Sequence, residues 1–221
     1  MLLVNLVITI IVLSVSGACA PGPLTFAALI VGSWHGAKGG LKVAVGHMMF
    51  EAPYVFSLLL LFNSIRSIFE IFTVRLVLAL IACFFIIYFS YLGYLSGVKI
   101  VKEGHNNVRV EDIVGERVGK YLAKPIIVGL LLTGLNPWFL IWWITVGGII
   151  LVKALSLGLI EAFIVVMGAH VWLDYVWLTL MAYLSSKGLK VLGRRYGYIL
   201  QALSIILAVF GVLLVVKLFL T

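Results

Sequence analysis

Cys19-Ala20-Pro21-Gly22-Pro23 interrupts an apolar run from Leu2 to Val31 that would otherwise form one unbroken helix. Proline lacks a backbone N–H and its ring collides with the carbonyl four residues back, so two prolines flanking a glycine stop a helix here. Inside a bilayer the freed backbone groups have no water to bond. Such a break is tolerated only where protein packs around it or a water-filled cavity adjoins it, and transporter ligand sites are commonly built on broken helices. The plainer alternative is a Pro-Gly turn joining two short helices.

Composition places this break in a membrane. Of 221 residues, 64% are hydrophobic and 11% charged, and the mean hydropathy is +1.23. A soluble domain cannot bury that much apolar surface, so the expectation is an all-α, multi-pass integral protein of the cell membrane, with lipid as its surroundings. The length allows about six or seven spans of roughly 20 residues and leaves no room for a separate soluble domain. The net charge of +8 falls in short loops between apolar spans. It therefore reads as a topology signal, and nucleic acid is not an expected partner. Leu2 to Gly17 followed by Ala18-Cys19-Ala20 has the outline of a signal peptide, but no basic region precedes it and Pro21 would follow the cut, so the segment is expected to be retained.

The stretch from Leu2 to about Ser33 is too long for one straight span, about 48 Å at 1.5 Å per residue. A helix, a break and a half-helix fit it better. Gly32, Gly36 and Gly40 then recur at four-residue spacing, suited either to close helix packing or to a glycine-rich loop. Further spans are expected at about 43–62, 76–97, 125–151, 157–184 and 196–219, the fourth interrupted at Asn136-Pro137. Gly93 and Gly97 end the third span as a GxxxG pair, whose default meaning is helix packing and which would also permit a homodimer. Residues 98–124 form the only sizeable polar segment and divide the chain into three-helix halves, 1–97 and 125–221. If that linker is cytoplasmic, twelve of the 16 Lys and Arg residues lie on its side, including Lys38, Lys42, Lys187, Lys190, Arg194 and Arg195. This is a positive-inside bias. Both termini lie outside if residues 2–33 cross once; the N-terminus lies inside if the segment after Pro23 returns as a second crossing.

The halves echo each other. Each opens with a proline-broken span, and the next span carries a histidine and an acid: Gly46-His47-x-x-x-Glu51 and Gly168-Ala-His170-x-x-x-Asp174. Four-residue spacing puts each pair on one helical face. Because three spans is an odd number, the repeats would insert in opposite directions, with a site near the midplane where they meet.

Ionisable groups within a span cost at least about 2.5 kcal/mol on insertion scales, so they face the bundle interior and are functional by default. Glu51 and Asp174 are the leading candidates, with His47 and His170 orienting or tuning them. Burial disfavours a charged carboxylate and a protonated imidazole favours it, so each pair can change protonation when a cation arrives. That is equipment for proton-coupled exchange. Half-helix N-termini after Pro23 and Pro137 would offer N–H groups to a substrate carboxylate. A small molecule bearing both charges, such as an amino acid, suits this arrangement, with Pro21, Gly22, Pro23, Asn136 and Pro137 shaping the cavity. The competing role for both pairs is a buried ion pair tying two helices together. Glu161, near the start of the fifth span, reads as an interfacial or helix N-terminal acid. Trp138, Trp142 and Trp143 read first as belt or packing residues.

These features in this order resemble the LysE/RhtB family of amino-acid exporters: Pro21-Gly22-Pro23, the glycines from Gly32 to Gly46, an acid in the second span, and Asn136-Pro137. The resemblance covers nearly the whole chain and implies export of an amino acid or similar small amine, driven by the membrane potential or a proton gradient. It maps the family's second-span acid onto Glu51 and its fifth-span polar position onto Asp174. Two departures stand out. The family commonly has aspartate where this chain has Glu51, and lysine where it has Trp138, so substrate identity does not carry over. Relatives in the wider superfamily move metal ions or relay electrons between thiols. A divalent-metal carrier would use His47, Glu51, His170 and Asp174 as ligands within about 2 to 2.5 Å of a common centre. A thiol carrier would need Cys19 to find a partner; the second break offers none, and only Cys83 remains. No cofactor motif is present, and the chain is not read as an enzyme.

Overall fold

A computed structural model of the chain describes residues 2–19, 22–103 and 124–220. Pro21 and the linker residues Arg109, Arg117 and Lys120 lie outside the described residues. Those described are almost entirely helical, with no strand among them: α1 (Leu2–Ala18), α2 (Pro23–Glu70), α3 (Phe72–Glu103), α4 (Pro125–Gly134), α5 (Pro137–Ala154), α6 (Leu159–Leu192) and α7 (Tyr196–Leu220). Short 3₁₀ turns at Leu155–Leu157 and Gly193–Arg195 lead into α6 and α7. Among the described residues, the stretches Pro23–Leu61, Trp138–Leu157 and Leu159–Leu213 are long and apolar enough to cross a membrane, and Leu3–Ala18 and Pro125–Gly134 are shorter apolar helices. Val12, Phe84, Ile164 and Ile206 are each more than 60% exposed. Apolar surface on this scale is stable only where lipid covers it.

The helices are interrupted at both expected breaks, whereas Pro53 lies inside α2 without ending it. α1 ends at Ala18 and α2 begins at Pro23, with the Phe26 N–H bonding the Gly22 carbonyl at 3.0 Å. α4 ends at Gly134, and Asn136, in extended conformation, caps α5 by accepting the Trp138 N–H at 3.1 Å on its side-chain oxygen. Proline takes the first position of α2 and of α5, where an amide hydrogen would have had no helical partner.

The half-helix after the first break does not end in a separate loop, as a first span to Ser33 and a second from Val43 would require; it continues into the next limb of α2. The join is Gly36, at φ 61° and ψ −156°, a backbone conformation open essentially only to glycine. There the chain folds back: Gly39 abuts Val31, and Ala28 and Val31 share a cluster with Val43 and Ala44. Further along, Ile10 of α1 clusters with Leu58 and Leu59. Residues 23–35 therefore run antiparallel to the limb that follows Gly36, while α1 packs chiefly on α5 and α6. Gly158, at φ 102°, makes the corresponding turn from α5 into α6.

Glycines set how closely the rods approach. A Cβ on Gly46 would overlap the Ile126 carbonyl oxygen, and one on Gly129 the Val43 carbonyl oxygen, so α2 and α4 cross backbone to backbone. Gly32 and Gly40 both abut Ala182 of α6. Gly93 meets Phe26 and Ser204, and Gly97 meets Gly197 and Gln201 of α7. The GxxxG pair is thus occupied inside one chain, and a homodimer would need another face. The third helix also runs past Gly97 to Glu103.

Candidate functional site

His47 and Glu51 lie one turn apart on α2, His170 and Asp174 one turn apart on α6, and the two pairs meet. His47 Nε2 is 3.3 Å from Glu51 Oε2 and 3.8 Å from Asp174 Oδ1. His170 Nε2 is 3.1 Å from Glu51 Oε1 and 3.0 Å from Asp174 Oδ2. The result is a closed ring in which imidazole and carboxylate alternate. All four are buried, Asp174 the most exposed at 5%.

Two neighbours, from α4 and α5, hold the ring. His47 Nδ1 lies 2.8 Å from Thr133 Oγ1, whose own hydrogen is donated to the Gly129 carbonyl at 2.6 Å. With that hydrogen on Gly129, Thr133 accepts from His47 Nδ1–H, and Nε2 faces the acids. The Trp143 indole N–H donates to Glu51 Oε1 at 2.9 Å, a bond between fully buried partners. His170 stacks on Trp142 with ring centres 5.9 Å apart and meets the edge of Trp143 at 4.9 Å. Its Nδ1 has no hydrogen-bond partner, which leaves Nε2 to carry the proton towards the acids.

The proton count follows from this geometry. Each Nε2 faces two carboxylate oxygens, so a contact is attractive only with a proton on the ring or on the facing acid. Glu51 Oε2, Asp174 Oδ2 and His47 Nε2 are buried at ion-pair distance, yet none has an in-line hydrogen bond. Buried polar atoms are seldom left so. These three retain capacity for a ligand.

A cavity of about 70 Å³ joins the ring to both helix breaks, with walls that include Gly17, Ala18 and Gly22 from the first break and Asn136, Trp138 and Phe139 from the second. Of the sequence-predicted residues, His47, Glu51, His170, Asp174, Gly22 and Asn136 line it; Pro23 and Pro137 start the helices that reach it. Glu161 is exposed, its carboxylate beside Gly158 at the start of α6 and apart from the ring. Cys19 and Cys83 are free thiols. The glycine echo is only formal: Gly46 is a helix crossing, whereas a Cβ on Gly168 would meet nothing within 4 Å. Thr133 escapes sequence reading because one hydroxyl in an apolar run has no periodic signature. Trp143 is visible but, beside Trp142, reads as packing.

An all-helical apolar chain with two broken helices around buried ionisable groups has the architecture of a membrane transport protein. The chain belongs to the LysE family: the model of the LysE type translocator matches residues 15–218, nearly its whole length. Neither a curated protein nor a solved structure matches it. Membership in a translocator family accords with a small-molecule substrate and a lipid environment.

Proposed function

We propose that the chain is a secondary active exporter of an amino acid or similar small amine in the cell membrane, coupled to protons or to the membrane potential. The observation that carries this is the single cavity lined by both helix breaks and all four ionisable side chains. In this reading the spans are α1 with residues 23–35, the second limb of α2, α3, α4 with α5, α6 and α7. They form two inverted three-helix repeats, 1–97 and 125–221, joined by a cytoplasmic linker over 98–124. The matching hairpin glycines Gly36 and Gly158, each shortly before a histidine–acid pair, support the repeat.

The substrate ammonium group meets Glu51 and Asp174, displacing a proton from a histidine–acid interface. Its carboxylate meets the first turn of α2. Of the two half-helix N-termini, that of α5 is already capped by the Asn136 side chain, whereas Gly22 brings no side chain to the α2 terminus. A helix N-terminus favours an anion.

The test is efflux from proteoliposomes preloaded with mixed amino acids, with and without an imposed pH gradient. Gradient-dependent efflux that disappears in both Glu51→Gln and Asp174→Asn is expected; efflux unchanged in both variants would refute the assignment. One observation favours a second reading, transport of a divalent metal: His47, Glu51 and Asp174 each bring a ligand atom within 4.8 Å of the others. Metal flux without amino-acid efflux in the same vesicles would select it.

A further inference from the structure

A second space, an apolar groove of about 410 Å³ whose outer wall includes the exposed Leu184, Ile199 and Ile206, lies between the first limb of α2, α6 and α7. Gly22 and Thr25 belong to its walls and to those of the polar cavity, so the two spaces share a boundary at the first turn of α2. We propose that this space receives a large apolar side chain of the transported amino acid while the α-ammonium and α-carboxylate groups occupy the polar cavity. The inference rests on the amino-acid exporter reading and names its substrate class.

The chemistry of the walls selects such a side chain. They include Phe26, Leu29, Met181, Leu203 and Leu207 and no charged residue. Ser185 donates to the Leu29 carbonyl at 2.6 Å, and its oxygen lies 2.7 Å from the Tyr196 hydroxyl, so these groups satisfy one another. The Trp177 indole N–H is likewise directed at Thr25 Oγ1, at 3.2 Å. A lysine or arginine head placed here would be desolvated without a counter-charge, which is strongly unfavourable. An apolar chain loses only water.

Size and reach agree. The apolar space is several-fold larger than the polar one, so the bulk of a large side chain fits only there. On α6, Asp174 lines the polar cavity, and Trp177 and Met181 line the apolar one about 4.5 and 10 Å further along the axis. A leucine or phenylalanine held by its α-groups at Asp174 projects its side chain into that interval. The Trp177–Thr25 bond stands at the junction.

The experiment is competitive efflux of leucine, phenylalanine, alanine and lysine from proteoliposomes containing the full chain. The expected result is a preference for leucine and phenylalanine over alanine of about tenfold or more, since a pocket discriminates by roughly that factor or more per methylene, with lysine carried least. Met181→Trp and, from the opposite wall, Leu203→Trp fill the space and should each lower the leucine-to-alanine ratio about tenfold. Monodisperse elution in detergent checks that each variant is folded, and either variant suffices. Efflux that favours alanine or lysine overturns this inference alone, as does a ratio unmoved by a folded variant, the outcome expected if a lipid chain fills the space. Absence of all amino-acid efflux overturns the exporter reading, and this inference with it.

Discussion

Thr133→Val isolates the bond that sets the proton pattern of the ring. Valine matches threonine in shape but cannot accept the His47 Nδ1–H, now 2.8 Å from the hydroxyl oxygen. The hydroxyl hydrogen is directed at the Gly129 carbonyl, 2.6 Å away. The substitution strands the Nδ1–H donor of a histidine only 3% exposed. An unsatisfied buried group costs about 1–3 kcal/mol, or about 5- to 150-fold in an equilibrium constant. Two measurements check it: thermal unfolding in detergent, and ¹⁵N chemical shifts of the histidine ring nitrogens. The variant should lose stability in that range and His47 should lose its fixed Nδ1–H form, with Thr133→Ser restoring both. Wild-type stability together with an unchanged His47 spectrum would refute the proton assignment.

Other substitutions probe the frame around the ring. Trp143→Phe removes the indole donor to Glu51 Oε1; a lost bond to a charged acceptor predicts about 1.5–3 kcal/mol of destabilisation by thermal unfolding. Gly46→Ala forces a Cβ into the Ile126 carbonyl, should cost about 1–3 kcal/mol by overpacking, and should lower efflux by moving Thr133 away from His47. Gly168→Ala, into open space on a helix, is the contrast: stability unchanged or raised by about 0.5–1 kcal/mol. Gly36→Ala should destabilise by about 1–3 kcal/mol, read in the same melts, because alanine is strained at φ 61° and ψ −156°.

What could be read from the sequence was what depends on neighbours along the chain. Pro21-Gly22-Pro23 and Asn136-Pro137 join a missing amide hydrogen to a residue that is itself weak in helices, so breaks at both positions were legible, whereas the lone Pro53 lies inside α2 without ending it. A histidine and an acid four residues apart share a helical face in any helix, so the two pairs were legible too. The apolar composition dictated a membrane. Which faces meet is a different matter. His170 pairs with Glu51 as closely as with Asp174, 3.1 against 3.0 Å, and that ring exists only because glycines let the rods approach. Thr133 and Trp143 entered the site for the same reason, and Gly93 and Gly97 went to α7 instead of to an outer face. Only the tertiary structure decided these, because backbone approach and side-chain reach act between residues about a hundred positions apart, where local patterns of proline, charge and hydropathy carry no information.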